Sequence, residues 1–564
     1  MRRGMKRISR IINENGYPQL CVKGEVQDGL AYITYLTENN RYKDFAKAGY
    51  RLFSLPVFFG SNHLNEISGL DVFKKGIFDG DEPDFTVFDG DIAEILDACP
   101  NAYILPRVNI SLAREWELQN PDELCEPYPS GEPSRASLAS DKWLEEVKRE
   151  VRVFISHING SGYTDRIVGY QVAGGNTEEW LPFDTEKGIS GKRAVEKFKE
   201  YLEERGLEES EPAFYRFYSE LVAERIIELS SLIKHLTDRR VIVGTFYGYT
   251  LSCPYRIYGH HALMKILESE EIDFICSPVC YSNDRAVGRD HPYMVPLASI
   301  KHHGKLYFSE NDTRTHLSRA VNGMEWYNKP IWFGPDAETS GEIIKMHAAR
   351  ALINGHAAWW FDMWGGWFAD SRYMELLEDI RRLFEESSAY EARSAAQTAV
   401  FVDEEALAYV SDPSVTNNAC YRIREALGTM GAPYEIYLAA DAPSVIDRYK
   451  AIITLKPVGS ALSDRVRALA EQNNCAYIEI TNDNYGITPS ELRAFLRSAG
   501  VTVYCERDSV IYANERYIFL HTVEEGEYTL NVNGASELID VLTGKPFKQG
   551  RRLERGKSFI LKIV

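Results

Sequence analysis

The chain has 564 residues and a mass of 64.2 kDa, which at roughly 100–200 residues per domain allows three or four structural units. Hydrophobic residues make up 44% and charged residues 26%, values that argue against wholesale disorder and against a fibrous repeat. The net charge of −19 disfavours a nucleic-acid partner, because an acidic surface repels phosphates. Aromatic residues reach 12%, which suits either a large core or a carbohydrate cleft in which rings pack on sugars.

The N-terminal sequence and the cysteines predict a cytoplasmic protein. No segment approaches the roughly 18 apolar residues of a membrane span, so no membrane partner is expected. The basic start, MRRGMKRISRIINENGYPQL, lacks the apolar region of a secretory signal, with an Arg-rich transit peptide as the alternative. Nine scattered cysteines indicate reduced thiols. Cys276 and Cys280 form the only close pair, with no second pair or His cluster nearby, which favours buried thiols over a zinc site.

In chain order, apolar strands alternate with amphipathic helices from about residue 30 to residue 370. Eight such units in roughly 340 residues predict a closed (β/α)8 barrel. The alternative, an open doubly wound sheet, usually has a Gly-rich phosphate loop after its first strand, and none follows AYITYLT. The predicted strands are 31–37, 51–59, 101–110, 165–174, 239–248, 271–281, 304–310 and 357–367; the predicted helices are 41–50, 91–100, 141–158, 194–206, 214–236, 262–269 and 342–356.

After a helix at 374–387 the pattern restarts as a small flavodoxin-like α/β domain. Its predicted strands are 398–403, 434–439, 449–455 and 475–481, and its predicted helices are 419–431, 463–473 and 490–500. From residue 501 the residues alternate and turn sequences such as LTGK appear, which predicts a small antiparallel β domain. The predicted domains are therefore a barrel (1–392), a flavodoxin-like α/β domain (393–503) and a C-terminal β-sandwich-like domain (504–564).

Carboxylates follow the fourth and seventh predicted strands, where a barrel places its active site. The fourth strand ends in GYQVAGGNTEEW, with Glu178 and Glu179, and the seventh ends in YFSENDTRTH, with Glu310. Retaining glycoside hydrolysis requires two carboxyl groups roughly 5–5.5 Å apart. We therefore predict Glu310 as the nucleophile and Glu179 as the acid/base, because the neighbouring Trp180 could raise its pKa. Glu178 is the alternative acid/base.

Further polar and aromatic residues at strand ends are candidates for binding substrate. Arg314 and His316 could also keep Glu310 ionised, and Asp312 could instead bond to Arg314. Trp364 and Trp367 lie beyond the eighth strand and favour stacking on a sugar, whereas Trp359 or Trp360 is expected in the core. The predicted substrate-binding residues are Arg107, Asn109, Asn176, Tyr281, Asp312, Arg314, His316, Trp364 and Trp367. No metal ligand is predicted, since LTENN after the first strand offers no His-x-His.

The order of barrel, flavodoxin-like domain and small β domain resembles glycoside hydrolase family 42, the β-galactosidases of clan A. The helix AVEKFKEYLEERG resembles the segment that follows the acid/base loop there, and the region of YKAIITLKP resembles the trimerisation domain. Clan A enzymes usually carry Asn-Glu after the fourth strand, whereas this chain has GGNTEEW, and the zinc-binding cysteine cluster is absent. The chain thus looks like a divergent relative of this family or of the trimeric β-mannosidases.

The resemblance implies a retaining, exo-acting β-glycosidase without a cofactor, acting on short oligosaccharides or glycosides as a homotrimer. A β-galactosidase is favoured, with a β-mannosidase or another clan A β-glycosidase as alternatives. A catalytically inactive carbohydrate-binding protein is the non-enzyme alternative. A flavin protein is disfavoured because the first strand of the flavodoxin-like domain is followed by two glutamates, where an anionic phosphate would lie.

Overall fold

A computed structural model describes residues 7–61, 75–127, 131, 134–175, 177–181, 191–281, 285–318, 334–391, 393–532 and 537–564. Eight parallel strands form a closed barrel in which each strand pairs with the next along the chain and the eighth pairs with the first. The predicted (β/α)8 barrel is therefore confirmed. Its strands are Leu30–Ile33, Leu52–Phe58, Tyr103–Asn109, Gly169–Ala173, Ile242–Phe246, Phe274–Pro278, Leu306–Asn311 and Ala357–Phe361.

Helices cover the outside of the barrel, and their apolar faces explain where they form. The helix Asp141–Gly160 begins at Ser140, whose hydroxyl accepts the Trp143 N–H, and it buries an apolar stripe that includes Val147 and Val151. Within the described residues, the α-helices of this region are Tyr42–Lys47, Thr86–Ala98, Arg114–Gln119, Asp141–Gly160, Lys192–Arg205, Glu211–Leu236, Leu263–Glu268, Leu297–His302, Ala337–Asn354 and Ser371–Ser387.

An antiparallel ribbon, which the sequence analysis did not predict, precedes the barrel. It consists of Ser9–Ile12, Gln19–Val22 and Glu25–Val26. The Ile8 amide donates to the Arg240 carbonyl at 2.8 Å, and the Ser9 hydroxyl accepts the Ile242 amide at 2.9 Å. These atoms belong to the N-terminal end of the fifth barrel strand. The ribbon therefore packs at the end of the barrel opposite the strand ends that carry the candidate site.

The second α/β unit has a four-stranded parallel sheet in the spatial order Glu435–Leu438, Thr398–Val402, Ala451–Leu455 and Ala476–Ile480. This order, 2-1-3-4, is that of the flavodoxin-like fold, so the prediction is confirmed. Its longer helices are the π-helical Asn417–Arg422 continued by Ile423–Thr429, then Ala461–Gln472 and Pro489–Ser498. Capping boxes at Ser460 and Thr488 fix where the last two helices begin.

The C-terminal residues form antiparallel sheets, as predicted. Five strands lie in the order Ser509–Ala513, Tyr517–Thr522, Ser558–Ile563, Leu538–Asp540 and Lys545–Pro546, and Gly526–Tyr528 pairs with Arg551–Leu553. All nine cysteines are free. Among the described residues, no helix combines the length and the apolar character needed to cross a bilayer.

One barrel glycine is required by close packing. A Cβ on Gly244 would overlap both the ring and the carbonyl oxygen of Phe274 on the neighbouring strand. Gly244→Ala is therefore expected to lower the free energy of unfolding by about 2–3 kcal/mol. Gly90, an exposed position in the helix Thr86–Ala98, has open space around its Cβ direction. Gly90→Ala should raise the free energy of unfolding by about 0.5–1 kcal/mol. Urea-unfolding midpoints check both, and equal midpoints for the two variants would contradict the packing explanation.

Candidate active site

A tight loop after the fourth barrel strand presents the adjacent glutamates. The Gly174 amide donates to the Glu178 carbonyl at 3.3 Å, and the Trp180 amide donates to the Gly174 carbonyl at 2.7 Å. Thr177, Glu178 and Trp180 have φ values of 55°, 67° and 61°, a left-handed backbone conformation that residues other than glycine rarely adopt. The Trp180 indole is fully buried and donates to the Thr245 hydroxyl at 2.9 Å. This anchored ring offsets the backbone strain and fixes the two glutamates that precede it.

Glu310 lies at the C-terminal end of the seventh strand and is 4% exposed. Its carboxylate accepts hydrogen bonds from the Arg107 guanidinium and, at 3.2 Å, from the Trp359 indole. Burial raises the pKa of Glu310, and the charge of Arg107 opposes that rise. The cation that pairs with Glu310 is thus Arg107 from the third strand, and not Arg314 or His316 as the sequence suggested.

Glu178 is held on the other side of the same guanidinium. It is buried, and it accepts hydrogen bonds from the Tyr35 hydroxyl at 2.5 Å and the Asn109 amide at 3.5 Å. Arg107 Nη1 lies 3.8 Å from its carboxylate. Burial raises the pKa of Glu178, while Arg107 and the hydrogen-bond donors lower it. Glu178 therefore acts as a fixed, hydrogen-bonded carboxylate beside Arg107.

Glu179 has a different environment from its neighbour. It is half-buried and accepts hydrogen bonds from the Tyr249 hydroxyl at 2.9 Å and the Thr177 hydroxyl at 2.7 Å. Burial raises the pKa of Glu179 to about 7, against the effect of these two donors. Its charge also raises the pKa of Glu310. A carboxyl group with this pKa can give and take a proton near neutral pH.

Asp312 and Tyr281 meet at the same end of the barrel through a cation that the sequence analysis missed. Arg285 donates to Asp312 at 2.6 Å, and its guanidinium lies 4.0 Å from the centre of the Tyr281 ring. The cation that binds Asp312 is thus Arg285 and not Arg314, the alternative partner that the sequence suggested. Burial raises the pKa of Tyr281, and the charges of Asp312 and Glu179 raise it further. Tyr281 therefore lies within electrostatic reach of the candidate acid/base.

The remaining predicted residues of the seventh strand's loop face other partners. Arg314 is buried with its guanidinium 5.7 Å from the centre of the Trp367 ring. His316 Nδ1 lies 2.5 Å from the hydroxyl of Tyr373, on the helix Ser371–Ser387. A substrate contact by either residue stays a prediction. Asn176 lies outside the described residues.

The two tryptophans predicted to stack on a sugar are both buried, with 4% of Trp364 and 1% of Trp367 exposed. The Trp367 backbone amide donates to the Asp362 carboxylate at 2.8 Å, which holds the loop after the eighth strand close to the end of that strand. The Trp364 ring lies 5.8 Å from the Tyr35 ring, whose hydroxyl binds Glu178. Trp364 is thus the better placed of the two, and its stacking role stays a prediction.

The structure adds five residues to the site: Tyr35, Gln171, Tyr249, Arg285 and Trp359. Gln171 accepts a hydrogen bond from Arg107 Nε at 3.1 Å and so fixes the guanidinium. Tyr35 and Tyr249 follow the first and fifth barrel strands, so the strand-end rule could have found both. Among the described residues, no group of His, Cys, Asp and Glu is arranged to hold a metal ion.

No protein-family model matches the sequence, and no curated protein is significantly similar to it. Solved structures match over nearly the whole chain. A β-galactosidase from Bacillus circulans sp. alkalophilus has a TM-score of 0.64 at 13% identity, covering 95% of this chain and 98% of that one. The chain has the fold of the GH42 β-galactosidases. A catalytic mutant of a GH42 β-galactosidase from G. stearothermophilus (TM-score 0.63, 10% identity) likewise covers 95% of this chain and 98% of its own.

A GH42 exo-carrageenase from Bacteroides ovatus has a TM-score of 0.58 at 12% identity, and covers 99% of this chain and 86% of its own. The resemblance to GH42 that the sequence predicted is therefore confirmed at the level of the fold. At 10–13% identity these likenesses carry the architecture of GH42 to this chain and leave its activity to be argued from its own residues.

Proposed function

We propose that the protein is a retaining β-glycosidase in which Glu310 is the nucleophile and Glu179 the acid/base. The observation that carries this proposal is the contrast between the two carboxyl groups at the barrel's C-terminal end. Glu310 is buried against the Arg107 cation and the Trp359 indole N–H, which favour its ionised form, whereas Glu179 is half-buried among hydroxyl donors and faces no cation of the described residues this closely. Two carboxyl groups in unlike environments are what acid and nucleophile require.

The reaction proceeds in two displacements. Protonated Glu179 donates its proton to the glycosidic oxygen while the Glu310 carboxylate attacks the anomeric carbon and the leaving group departs. Glu179, now ionised, takes a proton from water, which attacks the glycosyl–enzyme and releases Glu310. Arg107 stabilises the ionised form of Glu310 before attack and after release, and Tyr249 stabilises the ionised form of Glu179 between the two steps.

The proposed substrate is a short oligosaccharide or glycoside with a non-reducing β-galactosyl unit, cleaved by exo action. The fold likeness to proteins named β-galactosidases supports galactose, while the likeness to an exo-carrageenase shows that the fold accepts more than one substrate. A β-mannosidase or another clan A specificity is the alternative within the same mechanism. The homotrimer and the cytoplasmic location stay predictions.

A panel of 4-nitrophenyl β-glycosides tests the proposal. We expect hydrolysis of the β-galactoside to exceed that of the β-mannoside and β-glucoside, with the β-anomer of the free sugar appearing first in the proton NMR spectrum. The matched 4-nitrophenyl α-galactoside is the control and should stay intact. First release of the α-anomer would contradict retention, and no hydrolysis of any member would favour an inactive carbohydrate-binding protein.

A further inference from the structure

Two buried charged side chains of the flavodoxin-like domain contact residues that follow the barrel strands. Glu404, after the first strand of that domain, accepts the backbone amides of Leu263 and Met264 at 2.7 and 2.9 Å. Arg424, on the helix Ile423–Thr429, is fully buried. Glu404 occupies the place at which a flavodoxin-like domain would hold a phosphate, and its carboxylate here receives the first amides of a barrel helix instead. Both side chains therefore bind residues of the barrel from the neighbouring domain.

Arg424 joins two loops of the barrel through one nitrogen atom. Its Nη1 donates to the Tyr293 carbonyl at 3.0 Å and the Ser252 hydroxyl at 3.3 Å, and it contacts the Cys280 sulfur. Its Nε donates to the Tyr421 carbonyl of its own helix at 3.0 Å. A buried, multiply bonded guanidinium has little freedom, so its position fixes the loops on which its partners lie.

Both of these loops carry hydroxyl groups of the candidate site. The amides of Ser252 and Cys253 donate to the Tyr249 carbonyl at 3.1 and 2.7 Å, so Ser252 and Tyr249 belong to one hydrogen-bonded turn. Tyr249 is the residue whose hydroxyl binds Glu179. On the second loop, Cys280 directly precedes Tyr281. A displacement of Arg424 would thus reach Glu179 through the turn at 249–253.

We propose that Arg424 is a positioning residue of the active site: it fixes the turn that aims the Tyr249 hydroxyl at Glu179. This inference rests on the proposed glycosidase function and gives the flavodoxin-like domain a part in proton transfer. When the turn shifts, Glu179 loses a donor that stabilises its carboxylate form and loses its fixed orientation toward the glycosidic oxygen. The proton donation step then slows, while steps that need no acid are spared.

The test compares Arg424→Met with Tyr249→Phe on aryl β-galactosides of two kinds. With the poor leaving group 4-methoxyphenol, Arg424→Met should lower kcat/KM about tenfold, and with 2,4-dinitrophenol about twofold or less. The basic limb of the pH profile should move to higher pH in both variants, because loss of a donor to the carboxylate raises the pKa of Glu179. The double variant should resemble Tyr249→Phe alone, since both changes act on one hydrogen bond.

Glu405→Gln is the matched control, because it removes the 3.2 Å ion pair between Glu405 of the flavodoxin-like domain and Arg216 of the barrel. Glu405→Gln should leave the pH profile unchanged. Equal losses on both leaving groups with an unshifted limb in Arg424→Met would overturn the inference. Should Arg424→Met fail to fold, Ser252→Ala decides, since it removes the hydroxyl through which Arg424 holds the turn at 249–253, and an unshifted basic limb there would overturn the inference equally. An inactive wild-type enzyme would instead refute the proposed function.

Discussion

Replacing Glu310 by glycine is expected to lower the hydrolysis of 4-nitrophenyl β-galactoside by about 10,000-fold or more, because it removes the carboxylate that we propose forms the glycosyl–enzyme bond. The variant should remain folded. Removing one partner of a buried ion pair costs about 3–5 kcal/mol when the remaining charge is left uncompensated. Here Glu178 still lies 3.8 Å from Arg107, so the guanidinium keeps a counter-charge. Steady-state rates and thermal unfolding of the purified variant measure both expectations.

Azide separates the two proposed roles of the carboxyl groups. In Glu310→Gly, azide can enter the space of the lost carboxylate and attack the anomeric carbon directly, which gives an α-glycosyl azide, the inverted product. In Glu179→Gly, the matched variant, azide attacks the glycosyl–enzyme held on Glu310 and gives the retained β-glycosyl azide. A retained product from Glu310→Gly would contradict its assignment as nucleophile.

The barrel could be predicted because its strands are buried on both faces and therefore appear as apolar runs between amphipathic helices. All eight predicted strands exist, each shorter or shifted by a few residues. The N-terminal ribbon was missed because its strands are two to four residues long and are fixed by contacts with Arg240 and Ile242, far along the chain. The helix Leu297–His302, of six residues, is likewise too short for a helical period to show.

The strand-end rule located the candidate carboxylates but not their partners. Sequence proximity favoured Arg314 as the cation beside Glu310, whereas the structure pairs Glu310 with Arg107, 203 residues away. A closed barrel brings inward-facing residues of distant strands together, which a linear pattern does not show. Trp359 was one of the two tryptophans of which one was expected in the core. Its ring does stack on Phe308 at 4.7 Å, but its indole N–H also reaches Glu310.

The surroundings of the adjacent glutamates favour Glu179 over Glu178 as the acid/base. Replacing Glu179 should therefore have the second large effect on activity. Glu179→Gln should lower kcat/KM for aryl β-galactosides with poor leaving groups by about 100- to 10,000-fold, and much less for 2,4-dinitrophenyl β-galactoside, which departs without a proton. Glu178→Gln is the matched variant, one residue away. It should lower kcat/KM similarly for both substrates, because Glu178 is bonded to Tyr35 and Asn109 and we propose Glu179 as the proton donor.

The pH profile gives an independent reading of the same assignment. Glu179 must be protonated to act as the acid, and its pKa is raised to about 7, so wild-type activity should fall as the pH rises above about 7. Glu310 must be ionised to attack, so activity should also fall toward acid pH. Glu178→Gln keeps Glu179 and should keep the basic limb, whereas Glu179→Gln should abolish that limb because an amide does not titrate. A basic limb that survives in Glu179→Gln and disappears in Glu178→Gln would transfer the acid/base role to Glu178, the carboxylate that Arg107 holds.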